Sequence, residues 1–338
     1  MDRDDDFPKA IDLEKDQLTV LFVTHKEMKN KELTNEEFRK RSRKIFAVLN
    51  RHAKRTTLVE NITIDEDDLA AIISRELVER NDIVDGMFYW SGSEESSPRV
   101  NTKSTSLREG DGHLTTLSTL YEMNKLFITH IFGWSEVDFQ FLHDLTESDV
   151  EDMKNQIYLI WDELFKTLDF WKTSAPGLMK NHTPPEQRDD ESMDHLLFWP
   201  VGQIGLAKYI ATELDEELGN EEINTKAIKK VLKNLENIDW DMFSPPWKGY
   251  ILREVPTKPD PSKRVKNQEW QWKMGNSGKY QERVTEMIRF LLGRAYTEKD
   301  LEEALKSKWD STLELNRPSD DEINNMWKSI LNQRKNLN

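Results

Sequence analysis

Short apolar runs and helical stripes alternate along the chain, separated by polar breaks. Leu18-Thr19-Val20-Leu21-Phe22-Val23 is apolar and β-branched, which predicts a strand covered on both faces. Thr34 and Glu37 stand three residues apart as a capping box, so a helix is expected from about Asn35. Phe38, Ile45 and Leu49 fall near one face of it, with Phe46 beside them. A second helix is expected with Asp65 as its cap and Glu66, Asp67 and Asp68 in its first turn, where carboxylates favour the positive helix end. Leu69, Ile72, Ile73 and Leu77 form its apolar face, and Arg75 is expected in a surface ion pair.

Gly92 to Gly112 is rich in Ser, Gly, Glu and Thr and reads as a connector. Helical spacing resumes at Leu114, Leu117, Leu120 and Tyr121 and runs toward Phe132. Thr146 to Ser174 is the longest expected helix. Thr146 is its cap, and Val150, Met153, Ile157, Ile160, Trp161, Leu164, Leu168 and Trp171 form its buried stripe. Ala175-Pro176-Gly177 ends it, and Lys180 to Asp190 reads as a polar loop. Further helices are expected at Asp194–Leu214, Lys226–Asn237, Lys279–Leu292, Glu298–Lys308 and Asp320–Arg334, the last with a Ser319/Glu322 capping box. Pro256 to Lys266 reads as a loop rich in Pro and Lys, and no repeat of fixed period is present.

Composition narrows the function classes. The 338 residues include no Cys, which excludes disulfides, thiolate-bound zinc, iron–sulfur clusters and thiol catalysis, and fits a reducing cytoplasm. Eleven Trp and 14 Phe supply enough apolar area for a core despite a mean hydropathy of -0.77. The acidic start Met1-Asp2-Arg3-Asp4-Asp5-Asp6 is unlike a signal peptide, and no apolar run is long enough for a membrane span. A net charge of -15 opposes simple nucleic-acid binding. Against it, Arg39, Lys40, Arg41, Arg43, Lys44, Arg51, Lys54 and Arg55 form a stretch with no acidic residue. That stretch is either a solvated helix face or a local phosphate-facing patch. Phosphate-loop, dinucleotide-fold, zinc-protease and nucleophile-elbow motifs are all missing. The seven histidines have no ligand spacing, so no metal and no cofactor is expected.

Two stretches carry a family resemblance: Phe46 to Lys54, with its Phe-x-x-Leu-Asn-x-x-Ala-Lys pattern, and Ile62 to Val78, built around Asp65-Glu66-Asp67-Asp68. Their order resembles the back half of the DGQHR-domain family, which includes the DNA sulfur modification B proteins of phosphorothioation systems. Looser likenesses lie at Ser106-Leu107 with Leu117 and Leu120, at Leu197-Phe198-Trp199-Pro200-Val201-Gly202-Gln203, where Trp199 replaces a usual basic residue, and at Trp240 to Gly249. The Asp-Gly-Gln-His-Arg motif itself does not occur. Asp111-Gly112-His113-Leu114 lies on the wrong side of the helix pair and is read as a coincidence. The expectation is that Met1 opens partway through a domain.

The resemblance implies an α+β, predominantly helical fold. A truncated ParB/sulfiredoxin-like α/β lobe (1–125) would be followed by a larger helical region (126–338). It implies a DNA-modification or phage-defence accessory or regulator rather than an enzyme, with DNA and other defence proteins as partners, no membrane, and a cytoplasmic location. By resemblance, Asn50, Arg51 and Lys54 would border a nucleotide or phosphate pocket, where Asn can fix a base or ribose edge and Arg can grip phosphate with its fork. Arg39, Lys40, Arg43, Lys44 and Arg55 would touch DNA phosphates. Two readings of other classes stand beside this one. The chain could be an acidic helical interaction module without DNA binding, or half of a nucleotide-binding enzyme completed by another chain.

Overall fold

The computed structural model describes residues 45, 57–89, 99–135, 142, 145–189, 192–219, 221–256, 270–275, 277–294, 299–300, 303 and 319–338. The chain divides into two compact units, 1–53 and 54–338. Ile45, which is helical, is the described residue of the first. The expected strand at Leu18–Val23 and most of the helices expected from Asn35 and at Glu298–Lys308 lie outside the described residues.

Thr57 opens the second unit with a capping box. Its hydroxyl accepts the Glu60 N–H while the Glu60 carboxylate takes the Thr57 N–H, and α1 (Leu58–Ile64) follows. Asp65 is therefore not the cap of the next helix. It ends α1, and Asp68 caps α2 (Leu69–Glu79) by accepting the N–H groups of Ala70 and Ala71. The acidic run forms the turn between two helices because Ile62, Thr63 and Ile64 already belong to the first. Among the described residues Arg75 makes no ion pair. It reaches back across the turn and donates to the carbonyls of Ile62 and Asp65, groups that α1 leaves open at its end.

A short parallel pair, β1 (Val100–Asn101) with β2 (Thr115–Thr116), leads into α3 (Leu117–Ile131), whose cap is Thr116. The Thr146–Asp149 capping box starts α4 (Glu147–Thr167). The expected helix to Ser174 breaks at Leu168 and Asp169, and a separate turn, α5 (Phe170–Thr173), carries Trp171. Asp194 and His195 are not helical, contrary to expectation. A 3-10 turn at Leu196–Phe198 intervenes, and α6 (Pro200–Leu218) starts with Pro at its first position, where its missing N–H costs nothing. Asn224 caps α7 (Thr225–Leu232). An antiparallel hairpin, β3 (Leu252–Pro256) with β4 (Trp270–Met274), precedes α8 (Gly278–Leu291). The Ser319–Glu322 box starts α9 (Asp320–Leu337) as expected.

The fold is α+β and predominantly helical. Helix α6 is its axis: it packs on α3, α7 and α8, while α2 packs on α3, α4 on α7, and α9 on α8. Apolar and small residues occupy most sides of α6, as a central helix requires. At Gly205 a Cβ would stand 2.5 Å from the Val284 side chain, so the glycine sets how closely α6 and α8 approach. The layers are also tied by polar bonds inside the core. Trp161 Nε1 donates to Asn124 at 2.8 Å, Asn124 to Ser74 at 2.9 Å, and Ser74 to the Ala70 carbonyl, joining α4, α3 and α2. Among the described residues no helix is long and apolar enough to cross a membrane.

Candidate functional site

Between α5 and α6 the chain doubles back as a narrow ribbon. Lys180 pairs antiparallel with Asp194, and His195 pairs with Asp241. Local turn chemistry closes the first leg: Asn181 accepts the Thr183 N–H, the pair Pro184-Pro185 opens a 3-10 turn, and Asn181 donates across to Ser192. Lys180 to Asp190 is thus more than a loop. Side chains alternate along a ribbon, so Lys180, His182 and Asp194 share one face, while His195 and Asp241 share the other.

Asp194 is fully buried, and two donors hold its carboxylate. Trp199 Nε1 donates to one oxygen at 2.7 Å, and His182 Nδ1 meets the other at 2.5 Å. The His182 ring stacks on the Trp199 indole, with centroids 4.5 Å apart and planes 10° from parallel. In a neutral ring the carboxylate favours the tautomer with the proton on Nδ1, in which the Nε2 lone pair is open. Among the described residues Nε2 has no hydrogen-bond partner, and the side chain keeps 22% of its exposure. A histidine so oriented can accept a proton from a bound molecule.

Lys180, fully buried behind this pair, donates to the carbonyls of His113 at 2.7 Å and Pro176 at 2.9 Å. Burial pulls its ammonium down to about 8, with the Asp111 carboxylate acting against the fall. Burial would raise Asp111, but hydrogen bonds from the His113 backbone and ring outweigh it and hold the carboxyl below its ordinary range. On the other face, Arg188 pairs with Asp241 and lies over the Phe243 ring. His195 is buried against Phe170, accepts the Leu197 N–H on Nδ1, and is pushed down to about 3 by burial. It is a neutral structural group.

The family-like element Leu197–Gln203 now has a structural account. Gln203 donates to the carbonyls of Leu114 and Leu197 and accepts from Thr115, so it fastens β2 to the start of α6. At Gly202 a Cβ would meet the Leu196 carbonyl oxygen at 2.2 Å. Trp199, standing where the family pattern has a basic residue, supplies a donor to Asp194. In the second element Trp247 stacks on Trp240 at 5.4 Å, and its indole donates to the Asp239 carbonyl.

The sequence-derived candidates Asn50, Arg51 and Lys54, and Arg39, Lys40, Arg43, Lys44 and Arg55, lie outside the described residues. The structure brings together a different set, His182, Asp194 and Trp199, with Lys180, His113 and Asp111 behind them. Sequence reasoning missed this set because its members come from three separate segments. The pair of prolines between His182 and Asp194, which marks a tight reversal, was the one available signal. Among the described residues no group of three or more His, Cys, Asp or Glu side chains could hold a metal ion.

Residues 7–289 match the family described as DndB, DNA-sulfur modification-associated. No curated protein and no solved structure matches the chain.

Proposed function

The chain belongs to the DndB family, DNA-sulfur modification-associated, and from that premise we propose that it is a DNA-binding accessory or regulatory protein of DNA phosphorothioation. In this reading it acts in the cytoplasm, on transcription of the modification genes or in phage defence. It performs no catalysis of its own, and other modification proteins are its partners. The observation that carries the reading is the distribution of charge. Residues 1–53 hold twelve Lys and Arg against eleven Asp and Glu, whereas residues 54–338 hold 36 against 52. The acidic excess therefore resides wholly in the second unit, and the carboxylate-free stretch 39–55 is where a phosphate backbone meets least repulsion. Arg39, Lys40, Arg43, Lys44 and Arg55 would take backbone phosphates, and Asn50, Arg51 and Lys54 a phosphate or nucleotide beside them.

Fluorescence anisotropy with duplex DNA over a range of salt tests this. Reversing charge at Arg39, Arg43 and Arg51 should weaken binding and flatten the dependence of log K on log salt. Titrations identical to those of the parent protein sink the assignment. Co-purification with modification proteins but no DNA affinity at low salt would replace it with an interaction module.

The His182–Asp194 pair favours one second reading, acid–base chemistry on a nucleotide bound jointly with another chain. Nucleotide-dependent melting shifts that need that chain, with turnover lost in His182→Gln, are its signature.

A further inference from the structure

Two positive charges in the second unit stand together with no carboxylate in ion-pair contact among the described residues. Arg283, on α8, is 4% exposed, and its Nη1 donates to the Tyr250 carbonyl at 2.9 Å. Its guanidinium lies 4.7 Å from the centre of the Tyr280 ring and 5.4 Å from that of Tyr250. Arg253, on β3, lies 5.3 Å from the same Tyr280 ring and donates to the Tyr280 hydroxyl. The Nε atoms of both arginines are buried with no hydrogen-bond partner among the described residues.

Among the described residues no carboxylate forms an ion pair with either guanidinium. Glu286 accepts from the Tyr250 hydroxyl and is the weakest of the named influences on Arg283. Burial first, and the like charge of Arg253 after it, press against the protonated form of Arg283. Arginine stays charged in proteins, and a buried charge without a partner is costly. An anion at this place would relieve both penalties.

The site is built rather than incidental. At Gly275, just beyond β4, a Cβ would stand 2.3 Å from three carbons of the Tyr280 ring. The glycine backbone therefore lies against the ring face and holds in place the ring on which both guanidiniums rest. Lys273 is the register partner of Arg253 and is exposed, so it shares that face of the hairpin.

We infer that the Arg253–Tyr280–Arg283 stack at the base of the β3–β4 hairpin is a phosphate-binding site, taking a phosphate group of a nucleic-acid backbone or of a soluble phosphate compound. Guanidinium forks match phosphate oxygens two at a time, and packing over the Tyr280 ring positions both groups beforehand. The site rests on the DNA-binding reading only for the choice between those two sources.

The first arm of the test is the melting temperature of the full chain in inorganic phosphate and in chloride at equal ionic strength. Phosphate should raise it for the parent protein and raise it less for Arg253→Gln. Because removing a buried arginine endangers the fold itself, Arg283→Lys is the second variant. It keeps the charge, loses the fork, and should reduce the rise. No rise in the parent protein, or an equal rise in Arg253→Gln, overturns the site. The second arm is duplex-DNA binding against salt. A slope shallower by about one in Arg253→Gln assigns the site to a backbone phosphate. An unchanged slope beside a reduced phosphate shift assigns it to a soluble phosphate compound. The part of the phosphate shift that Arg253→Gln removes should also be removed when that change is made in the variant reversed at Arg39, Arg43 and Arg51, so failure of the 39–55 assignment and failure of this site are read separately.

Discussion

Trp199 Nε1 and the Asp194 carboxylate meet at 2.7 Å inside the protein, and this bond helps hold the acceptor that orients His182. Trp199→Phe keeps an aromatic face under the imidazole but removes one of the two donors to a fully buried carboxylate. Loss of such a partner costs about 1–3 kcal/mol, to be read as a lower urea midpoint at unchanged m. Asp194→Asn leaves one accepting oxygen for two donors and puts an N–H donor in place of the other, so the tautomer is no longer fixed. The His182 ring nitrogens, seen by 15N NMR, should then change from a single Nδ1–H form to a mixture. A single Nδ1–H form persisting in Asp194→Asn would show that the carboxylate does not set it.

Lys180 makes alkaline stability pH-dependent. Burial brings its folded value down to about 8 from the ordinary 10.5, so between these values the unfolded chain binds more protons than the folded one. Stability should therefore rise with pH across that window, by about 3 kcal/mol at most. Lys180→Met should lose this rise, while the carbonyls of His113 and Pro176 lose their donor at every pH. Urea titrations at pH 7.5 and pH 10 measure the difference. Parallel pH dependence in both proteins contradicts it.

Much of the helical order could be read before the structure, because local signals carry it. The capping boxes at Thr146 and Ser319 start helices where they were expected, and Ile157, Ile160, Trp161 and Leu164 are buried along the stripe their spacing describes. Errors arose where two local readings compete. Any of the acids from Asp65 to Asp68 can cap a helix, and the choice fell to Asp68 because the Thr57–Glu60 box had already begun another helix upstream. The candidate site was not legible for a different reason. His182, Asp194 and Trp199 meet only once the ribbon folds, and Arg253 and Arg283 meet only once α8 docks on the hairpin. Nothing in their spacing records either contact.

His195 should dominate the first part of acid destabilisation. Its folded value lies at about 3 against an ordinary 6.5, because burial rejects the charged ring. For a base depressed in this way, the stability is complete above 6.5 and is lost as pH falls toward 3. The loss is about 5 kcal/mol at most. It begins at a higher pH than the losses from Asp111 and Glu322, whose carboxyls are held below their ordinary values. His195→Asn, whose amide oxygen can accept the Leu197 N–H, should flatten stability between pH 6.5 and 4.5 and leave the steeper acid limb. An unaltered profile would place the proton uptake elsewhere.

Gly205 tests what holds α6 to α8. Alanine there would gain about 1 kcal/mol in helix propensity if the site were open. It is not open: the added carbon would stand 2.5 Å from Val284 Cβ and 2.9 Å from the Gln281 carbonyl oxygen. Thr285 also donates to the Gly205 carbonyl at 2.8 Å, so the two helices cannot part without breaking that bond. Overpacking of this kind costs about 1–3 kcal/mol, so Gly205→Ala should destabilise on balance. Val284→Ala alone should also destabilise, by removing buried methyl groups. The pair together should be modestly more stable than the sum of the two losses, because Val284→Ala removes the Cγ1 contact at 2.7 Å while the Cβ contact at 2.5 Å stays. A double-mutant cycle by urea denaturation measures that coupling, and simple additivity would mean that the contacts left in place, Val284 Cβ and the Gln281 carbonyl, are what exclude a side chain at position 205.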